Sequence, residues 1–454
     1  MTDTKAKLAT KSRQQRKSFE RIMNVGVISL GCDKNRVDLE NIIFNLKNVG
    51  FQIVNSADDA EIIVINTCAF LESSRLEAIE NILEMSQLKN KKLEKLIVTG
   101  CLNELNYPDL KESLPEVDCF VNIKDNIYLV EKIFELYGVG YKYNYLNDRV
   151  LTTPSHYAYL KISDGCNNFC TYCLIPYIRG RFKSIPIEEL LVSAQKLVDN
   201  GVKELILVAQ DVTKYGVDLY NKKSLVELLQ KLSTIDKLQS IRLLYCYPEE
   251  IDDNLIREIK NNDKILKYLD IPLQHVSNFI LKKMNRRSTH ESICSLFTKL
   301  KSEIPNIVIR TTFILGFPGE TDDDFNQLLE FLKTYKLNNV GFFKFSNEEG
   351  TKAYTLPNQI DEDLKQKRLE IASQLQYEIQ NKLLDNLINK VYNVTIDFIN
   401  DGYSIGRYYG QCPTIDSIII INKILNVGQT YNVRITEKLD YDLKGELTYD
   451  ECTK

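Results

Sequence analysis

Cys166, Cys170 and Cys173 stand in the order Cys-x3-Cys-x2-Cys, inside Ser163-Asp164-Gly165-Cys166-Asn167-Asn168-Phe169-Cys170-Thr171-Tyr172-Cys173. Three thiolates at that spacing can hold three corners of a [4Fe–4S] cluster. Electron-transfer clusters of this kind are held by four cysteines. A fourth iron without a protein ligand is free to bind a substrate or cofactor, so the triplet points to chemistry at the cluster. Other uses of cysteine fit less well. A structural zinc site pairs two short Cys/His hooks, and the three histidines, His156, His275 and His290, supply none beside the triplet. Disulfides belong to an oxidising compartment, and the N-terminal stretch lacks the apolar core of a secretory signal. An isolated cysteine is ordinarily a packing residue, but these three are not isolated.

A second set emerges from the elements upstream. Val25–Leu30 reads as a strand, followed by Gly31-Cys32-Asp33-Lys34-Asn35-Arg36 and a helix to about Asn48. Glu61–Ile65 is another strand and ends in Asn66-Thr67-Cys68; a helix near Ser73–Gln87 leads to Lys95–Thr99, which ends in Gly100-Cys101. Strand–helix alternation of this kind implies an open parallel sheet. Ligands of such a sheet bind in the crevice beyond the carboxyl ends of its strands. Cys32, Cys68 and Cys101 each fall just after a strand, so they can converge there on a second cluster with an open iron. Cys119, at the start of the apolar piece Cys119–Asn122, matches no such pattern and reads as core.

The Cys166 triplet is delivered by Tyr157–Ile162. Five more strands follow it, at Glu204–Ala209, Ile241–Tyr245, Tyr268–Ile271, Val308–Leu315 and Val340–Phe345. Helical patterns lie between them near Ile187–Asn200, Ser224–Ser233, Asn254–Asn261, Ser277–Ser302 and Asp322–Tyr335. Six such units predict an incomplete (βα)6 barrel, with its site at the C-terminal strand ends. Those ends carry Gln210 and Asp211, Tyr247-Pro248-Glu249, Gln274 and His275, and Gly316-Phe317-Pro318-Gly319-Glu320. Each can serve a ligand or merely cap a loop. A lone histidine in the position of His275 reads as a hydrogen-bonded structural residue rather than a base.

From about residue 390 the pattern changes to short strands, Val391–Ile399, Ile415–Asn422 and Tyr431–Glu437, with turns at Asp401-Gly402 and Asn426-Val427-Gly428. This predicts a small antiparallel β-barrel. Small barrels often bind RNA, but from residue 390 onward there are seven Lys/Arg against nine Asp/Glu. RNA binding favours a basic face, so an acidic barrel better suits a basic protein partner. The expected organisation is therefore a basic, solvated leader over residues 1–23, an α/β domain over 24–140, a linker over 141–156, the incomplete barrel with a trailing helix over 157–389, and the small barrel over 390–454. The leader carries Lys5, Lys7, Lys11, Arg13, Arg16, Lys17 and Arg21 against Asp3 and Glu20, and reads as a disordered tail or a weak contact with ribosomal RNA.

The whole chain bounds the rest. Its 454 residues suggest two or three domains, and 44% hydrophobic residues suffice to build their cores. A formal charge of −4 excludes a bulk nucleic-acid binder. No apolar run is long enough to span a bilayer, and 11 cysteines without an export signal suggest a reducing cytoplasm.

With both triplets placed, residues 24–450 resemble the radical S-adenosylmethionine (SAM) methylthiotransferases. The motifs that carry the resemblance are Ser29-Leu30-Gly31-Cys32-Asp33-Lys34-Asn35-Arg36, Ser163-Asp164-Gly165-Cys166-Asn167-Asn168, Ala209-Gln210-Asp211, Asp270-Ile271-Pro272-Leu273-Gln274-His275, and the run from Arg310 to Glu320. The resemblance implies an N-terminal three-cysteine domain, a radical-SAM barrel and a C-terminal TRAM domain. It implies two [4Fe–4S] clusters, held by Cys32, Cys68 and Cys101 and by Cys166, Cys170 and Cys173, with the second triplet catalytic. SAM contacts are expected from Tyr172, Gln210, Gln274, Arg310, Gly316 and Glu320, a ring of groups suited to its amine, carboxylate, ribose and adenine.

Within the family, Asp33-Lys34-Asn35-Arg36 is similar to members that act on an aspartate of small-subunit ribosomal protein S12. The tRNA-modifying members generally lack it. The implied reaction uses one SAM to methylate a sulfur at the first cluster and a second SAM to generate a radical that removes hydrogen from the aspartate β-carbon, which then captures the methylthio group. Reduced flavodoxin or ferredoxin would supply electrons. Two other readings stay open: methylthiolation of a modified adenosine in tRNA, and a non-catalytic iron–sulfur module that binds the ribosome.

Overall fold

A run of β-branched and aliphatic residues with no polar alternation, as at Ile62–Ile65, suits a strand covered on both faces. In the computed structural model, which describes residues 23–105 and 110–448, it is the central strand of the first of two units. This unit comprises the described residues up to Thr152 together with Leu174–Gly180. Its strands are β1 (Asn24–Ser29), β2 (Gln52–Val54), β3 (Ile62–Thr67), β4 (Lys95–Gly100) and β5 (Cys119–Val121), all parallel in the order β2-β1-β3-β4-β5. The order reverses between β1 and β3, the switch point at which doubly wound sheets open a crevice.

Helix α1 (Asp33–Asn48) and helix α3 (Leu129–Leu136) cover one face, through Leu39, Ile42, Leu46 and Ile133. Helix α2 (Glu72–Ser86) covers the other, through Ala78 and Ile82, and Leu174 and Ile178 join that second layer. The stretch expected as a linker is tied down in its first part. Glu40, buried on α1, accepts hydrogen bonds from the Thr152 N–H (2.8 Å) and hydroxyl (2.9 Å) and faces Arg149 at 3.4 Å. Asn45 likewise holds Tyr143 and Leu146.

The second unit contains Thr153–Cys173 and the described residues from Arg181 onward. Strands β6 (Tyr157–Lys161), β9 (Glu204–Val208), β10 (Ser240–Leu243), β11 (Ile265–Asp270), β12 (Val308–Leu315) and β13 (Asn339–Lys344) form an open six-stranded parallel sheet in chain order. A short antiparallel ribbon, β7 (Ser163–Asp164) with β8 (Lys183–Ser184), projects after β6. The helices on this sheet are α4 (Ile187–Asp199), α5 (Leu225–Ser233), α6 (Asp253–Asn261), α7 (Asn278–Lys283), α8 (His290–Glu303), α9 (Asp322–Tyr335) and the trailing α10 (Glu362–Asp385).

The single helix expected over Ser277–Ser302 is two. α7 starts at its Ser277 cap, and α8 starts at a capping box formed by Thr289 and Ser292. Between them Asn285 takes φ +59°, and Arg286, Arg287 and Ser288 form a loop. The left-handed residue ends α7, and the box gives α8 a new start, satisfying the amides that a continuous helix would have used internally.

Strands β14 (Val391–Asn400), β15 (Tyr403–Arg407), β16 (Ile419–Ile421), β17 (Thr430–Leu439) and β18 (Asp442–Leu447) close a small barrel in the order β14-β15-β16-β18-β17. Its seams are antiparallel except for β16–β18, which is parallel. The expected strand over Ile415–Asn422 shrinks to β16, because Asp416 turns away to ion-pair with Arg310 at 2.8 Å.

A buried ionic network fastens this barrel to the six-stranded sheet. Glu204 at the start of β9 binds Arg242 (2.8 Å) and Arg407 (2.6 Å), Arg407 also binds Asp397 (2.9 Å), and Asp397 binds His156 (2.7 Å). Burial alone would raise the Glu204 carboxyl, but Arg407 and Arg242 outweigh it and bring it down to about 2. Among the described residues no helix is long and apolar enough to cross a membrane. Residues 1–22 of the basic leader and Cys452 lie outside the described residues.

Candidate functional site

In the first unit, Cys32 follows β1, Cys68 follows β3 and Cys101 follows β4, so all three stand at carboxyl ends of adjacent strands. Two glycines make this possible. Gly31 has φ +125°, and a Cβ there would lie 2.8 Å from Asn35 Nδ2 and 3.0 Å from Cys68 Cβ. Gly100 has φ +96°, and a Cβ there would collide with the Thr67 backbone and with Asn66 Oδ1. Both backbones therefore approach the site in a conformation that favours glycine.

Asn35, at the start of α1, organises the centre. Its amide nitrogen donates to the Thr67 carbonyl (3.0 Å), and its Oδ1 lies 4.0 Å from Cys32 Sγ and 3.7 Å from Cys101 Sγ. Arg179, whose side chain is only 2% exposed, donates to Asn35 Oδ1, pairs with Asp38 at 2.9 Å and brings Nη2 to 3.8 Å from Cys101 Sγ. Burial pushes the Cys101 thiol up to about 12, with Arg179 pulling the other way, and burial also raises Cys68.

In the second unit, one loop after β6 carries the whole second triplet. The loop is pinned on both sides. Thr171 N–H donates to Met284 O (3.1 Å) and its carbonyl accepts from Ala353 N–H (2.8 Å), while Asn285 Nδ2 donates to the carbonyls of Asn168 and Phe169, each at 3.0 Å. Asn168 donates to the buried Asp211 at 3.0 Å, and Lys214 donates to Asn168 Oδ1. Cys166 and Cys170 are buried and Cys173 is half-buried. Burial pushes the Cys166 thiol up to about 11, opposed by the Asn168 N–H, which donates to its sulfur at 3.4 Å.

Arg286 lies in the loop that interrupts the expected helix. Its Nη1 is 3.9 Å from Cys170 Sγ, its Nη2 donates to Pro272 O at 2.8 Å, and its guanidinium rests on the Tyr247 ring at 4.2 Å.

The other expected cofactor contacts divide. Tyr172 is half-buried beside the triplet and packs edge-on against Phe317 with ring centroids 6.4 Å apart. Gln210 donates to Asp164 at 3.2 Å, and its Oε1 is buried with no protein donor, as is Ser163 Oγ. These orphaned acceptors suit a ligand that brings N–H or O–H groups. Gln274 sits beyond β11 at φ +71°, bridged to Phe313. Gly316, at φ +74°, turns the chain after β12, where a Cβ would strike the Lys365 side chain.

Two of the expected contacts have partners within the chain. Glu320 shapes the turn: its carboxylate accepts from the Gly316 N–H (2.8 Å), the Phe317 N–H (3.3 Å) and Arg368 (2.8 Å). Arg310 stands level with Asp270, the last residue of β11, with Nε 3.8 Å from its carboxylate. It lies near the start of β12, where Asp416 of the small barrel takes its guanidinium. His275 Nδ1 accepts from the Ser277 N–H at 3.0 Å, and its Nε2 is buried 3.6 Å from the Glu320 carboxylate without a hydrogen-bond partner.

The residues missed from sequence are Arg179, Asn35 and Arg286. Asn35 lay within a quoted motif without an assigned role. Thr289, a capping residue inside the expected helix, was the one available signal for the break that exposes Arg286.

The donor sets suit iron–sulfur clusters. Each offers three soft sulfurs and one arginine against one sulfur. Among the described residues no three or more His, Cys, Asp or Glu gather as the shell of a single metal ion. Thiolates that each bind a different iron need no such shell. Cys119, Cys246, Cys294 and Cys412 lie elsewhere. Cys246 and Cys412 are buried, Cys294 contacts His290 at 3.5 Å, and Cys119 sits at the opposite end of its strand from the first triplet.

Comparison with known proteins follows the same divisions. Residues 24–122 match the family described as Uncharacterized protein family UPF0004, residues 160–332 the Radical SAM superfamily, and residues 388–448 the TRAM domain. Among similar curated proteins, the ribosomal protein uS12 methylthiotransferase RimO of Clostridium novyi is 46% identical over 432 residues, covering 93% of this chain and 97% of the relative. The protein of the same name from Clostridium kluyveri is 46% identical over 445 residues, covering 95% and 99%. Among solved structures, the radical SAM methyltransferase TsrM of Kitasatospora setae superposes with a TM-score of 0.53 at 13% identity, over 71% of this chain and 73% of that one. The cobalamin-dependent radical enzyme OxsB does so at 0.51 and 13%, over 79% and 58%. These two share the fold.

Proposed function

The chain belongs to the RimO family of ribosomal protein uS12 methylthiotransferases, and from that membership we propose that it places a methylthio group on the β-carbon of an aspartate of S12. It is a radical SAM transferase. The observation that carries the reading is the pair of three-cysteine sets, each at carboxyl ends of parallel strands and each with one buried arginine against one sulfur.

In this reading Cys166, Cys170 and Cys173 hold one [4Fe–4S] cluster and Cys32, Cys68 and Cys101 a second. When bound, these clusters and SAM supply one-electron cleavage of SAM and a sulfur for methylation. The protein's own part is binding, orientation and exclusion of water. The raised thiols of Cys68, Cys101 and Cys166 stay protonated until a metal displaces the proton, which suits metal ligands better than free nucleophiles. Arg179 and Arg286 each bring one positive charge against three thiolates, which lowers the cost of gathering negative charge in a buried place.

Gln210 Oε1 and Ser163 Oγ supply acceptors for SAM, Tyr172 an aromatic wall, and the Gly316 turn, held by Glu320, a backbone that approaches closely. Radical chemistry answers the substrate's difficulty: no side-chain base could deprotonate the β-carbon of an aspartate at neutral pH. A reduced flavodoxin or ferredoxin is the electron source, and the cytoplasm is the compartment.

The test is mass spectrometry after anaerobic reconstitution with iron, sulfide, SAM and reductant, with S12 and unmodified tRNA offered in parallel. A methylthio mass gain on an S12 aspartate is expected. A gain on tRNA would keep the chemistry and overturn the substrate. No SAM cleavage under strong reduction would leave a non-catalytic iron–sulfur module.

A further inference from the structure

At the end of the six-stranded sheet opposite the Cys166 triplet, the second unit holds a cavity of about 380 Å³. Residues 306–308 and 338–339, which lead into β12 and β13, line one side. The end of α10, the start of β14 and the loop after β15 line the others. The triplet stands beyond the carboxyl end of β6, whereas these residues stand at the amino ends of parallel strands, so the cavity is no part of the cysteine site. Its volume is that of a small-molecule site.

The lining carries aromatic rings, amides and one cation, and among the described residues no acid. Tyr392 and Tyr409, both half-buried, flank the buried Tyr408, with ring centroids 4.9 and 5.1 Å from its own. Tyr409 is fixed by donating to the Asn306 carbonyl at 2.9 Å. Burial raises the Tyr392 hydroxyl and pushes Tyr409 up to about 12, so both stay neutral at pH 7. The amides are largely unspent. Asn338 accepts from the Ile309 N–H (3.3 Å) and keeps its own N–H groups, while Asn386 donates to the Lys382 carbonyl (3.0 Å) and keeps its oxygen. Among the described residues, the side chains of Asn339, Gln380 and the exposed Lys390 have no partner.

We propose that this cavity binds one nucleoside monophosphate, its base among the tyrosines and amides and its phosphate at Lys390. Aromatic faces hold a base by stacking. An amide side chain donates and accepts side by side, which matches the paired groups on a purine edge. Lysine serves phosphate as a point charge, and with no acid in the lining that charge is uncancelled. A basic peptide would find nothing here to meet its charge. A nucleic-acid strand needs a positively charged groove along its backbone, whereas from residue 390 onward there are seven Lys/Arg against nine Asp/Glu. Size and charge therefore select a single free nucleotide. Because the cavity touches the sheet, α10 and the small barrel, its ligand joins all three.

The experiment is calorimetric titration of the full-length reconstituted holoenzyme with adenosine monophosphate (AMP), adenosine, ribose 5-phosphate and a short RNA. Each titration is run with and without saturating SAM. The variants are K390E, Y392L and a control, K260E; Lys260 is exposed on α6 and outside the cavity.

AMP should bind at one site whether or not SAM is present, with adenosine and ribose 5-phosphate each weaker. K390E should bind AMP about tenfold more weakly, the cost of one charged hydrogen bond, and adenosine as the parent does. Y392L should weaken AMP and adenosine alike, by about fivefold, through lost stacking. K260E should match the parent, SAM affinity should hold in all three variants, and AMP should raise the parent's melting temperature. No AMP binding by the parent at millimolar concentration would overturn the proposal, as would unchanged AMP affinity in K390E. So would RNA binding more tightly than AMP, or AMP binding that vanishes when SAM is added. K390E alters only an exposed side chain, so its result decides the matter even where Y392L fails to fold.

Discussion

The two cysteine triplets reach similar donor sets by opposite routes. The second is local: three cysteines within eight residues of one loop, held in place by neighbours such as Asn168, Asn285 and Met284. The first is assembled from three strand ends separated by 36 and 33 residues, and it exists only because β1, β3 and β4 lie side by side in parallel. Chain entropy explains the difference in support. A loop of a few residues loses little freedom on closing, whereas bringing distant strand ends together must be sustained by a packed sheet. The first triplet accordingly leans on two positive-φ glycines and on Asn35, which spans two of its cysteines. Yet each triplet carries an arginine that its own strand does not supply, Arg179 in one case and Arg286 in the other.

The sharpest way to break this comparison is to remove one sulfur from each side. Cys170→Ala should abolish SAM cleavage, and Cys101→Ala should leave SAM cleavage while abolishing methylthio transfer. Each should lose about half the bound iron, as expected for two clusters of equal size. Iron analysis with a SAM-cleavage assay reads both, and an equal loss of cleavage in the two variants would erase the division of labour.

A perturbation remote from both triplets should weaken the second unit alone. Glu204→Gln leaves Arg242 buried without its carboxylate and Arg407 with Asp397 alone, and losing one member of such a network costs about 3–5 kcal/mol. The same carboxylate sets a pH window. Its folded pKa is depressed from 4.5 to about 2, so its stabilisation is full above 4.5 and is lost as pH falls towards 2. Denaturant melts at pH 7 and pH 3 should show a larger acid loss in the parent than in the variant.

Smaller still is the effect of backbone strain at the distributed site. Gly100→Ala should cost roughly 1–3 kcal/mol from its left-handed φ and its collision with the Thr67 backbone, and should lower iron at the first triplet while sparing the second. Thermal melts and site-resolved Mössbauer spectra would separate the two effects. Arg179→Lys and Arg286→Lys keep the charge but lose the fork geometry. Each should shift the reduction potential of its own site by a few tens of millivolts, with iron content unchanged. A shift at both sites from either substitution would contradict the pairing of one arginine with one triplet. Least of all should follow from Ala or Ser at Cys246, Cys294, Cys412 or Cys452, for which bound iron is expected to stay at the parental level. Loss of iron from any of them would overturn the ligand assignment.

Much of this arrangement was legible in one dimension. Spacing alone marked Cys166, Cys170 and Cys173, and strand–helix periodicity put Cys32, Cys68 and Cys101 at strand ends, because side-chain period and turn position are local properties of the chain. The six strands of the open sheet fall within a few residues of their expected places for the same reason. β2 escaped notice because three residues at a sheet edge show no measurable period. The helix expected through Ser277–Ser302 failed because apolar periodicity continues across its break, while a left-handed Asn285 and the Thr289 cap end one helix and begin another.

What the sequence by itself determined was therefore the inventory: six thiols, their order, and the strands that carry them. Only tertiary structure decided which charges meet them. Arg179 folds into the first unit although it follows the second triplet in sequence. Arg310 turns to Asp416, and Glu320 is drawn into the turn at Gly316. Such pairings depend on long-range proximity, and a charged side chain that must be buried takes whichever partner the packed fold places within reach.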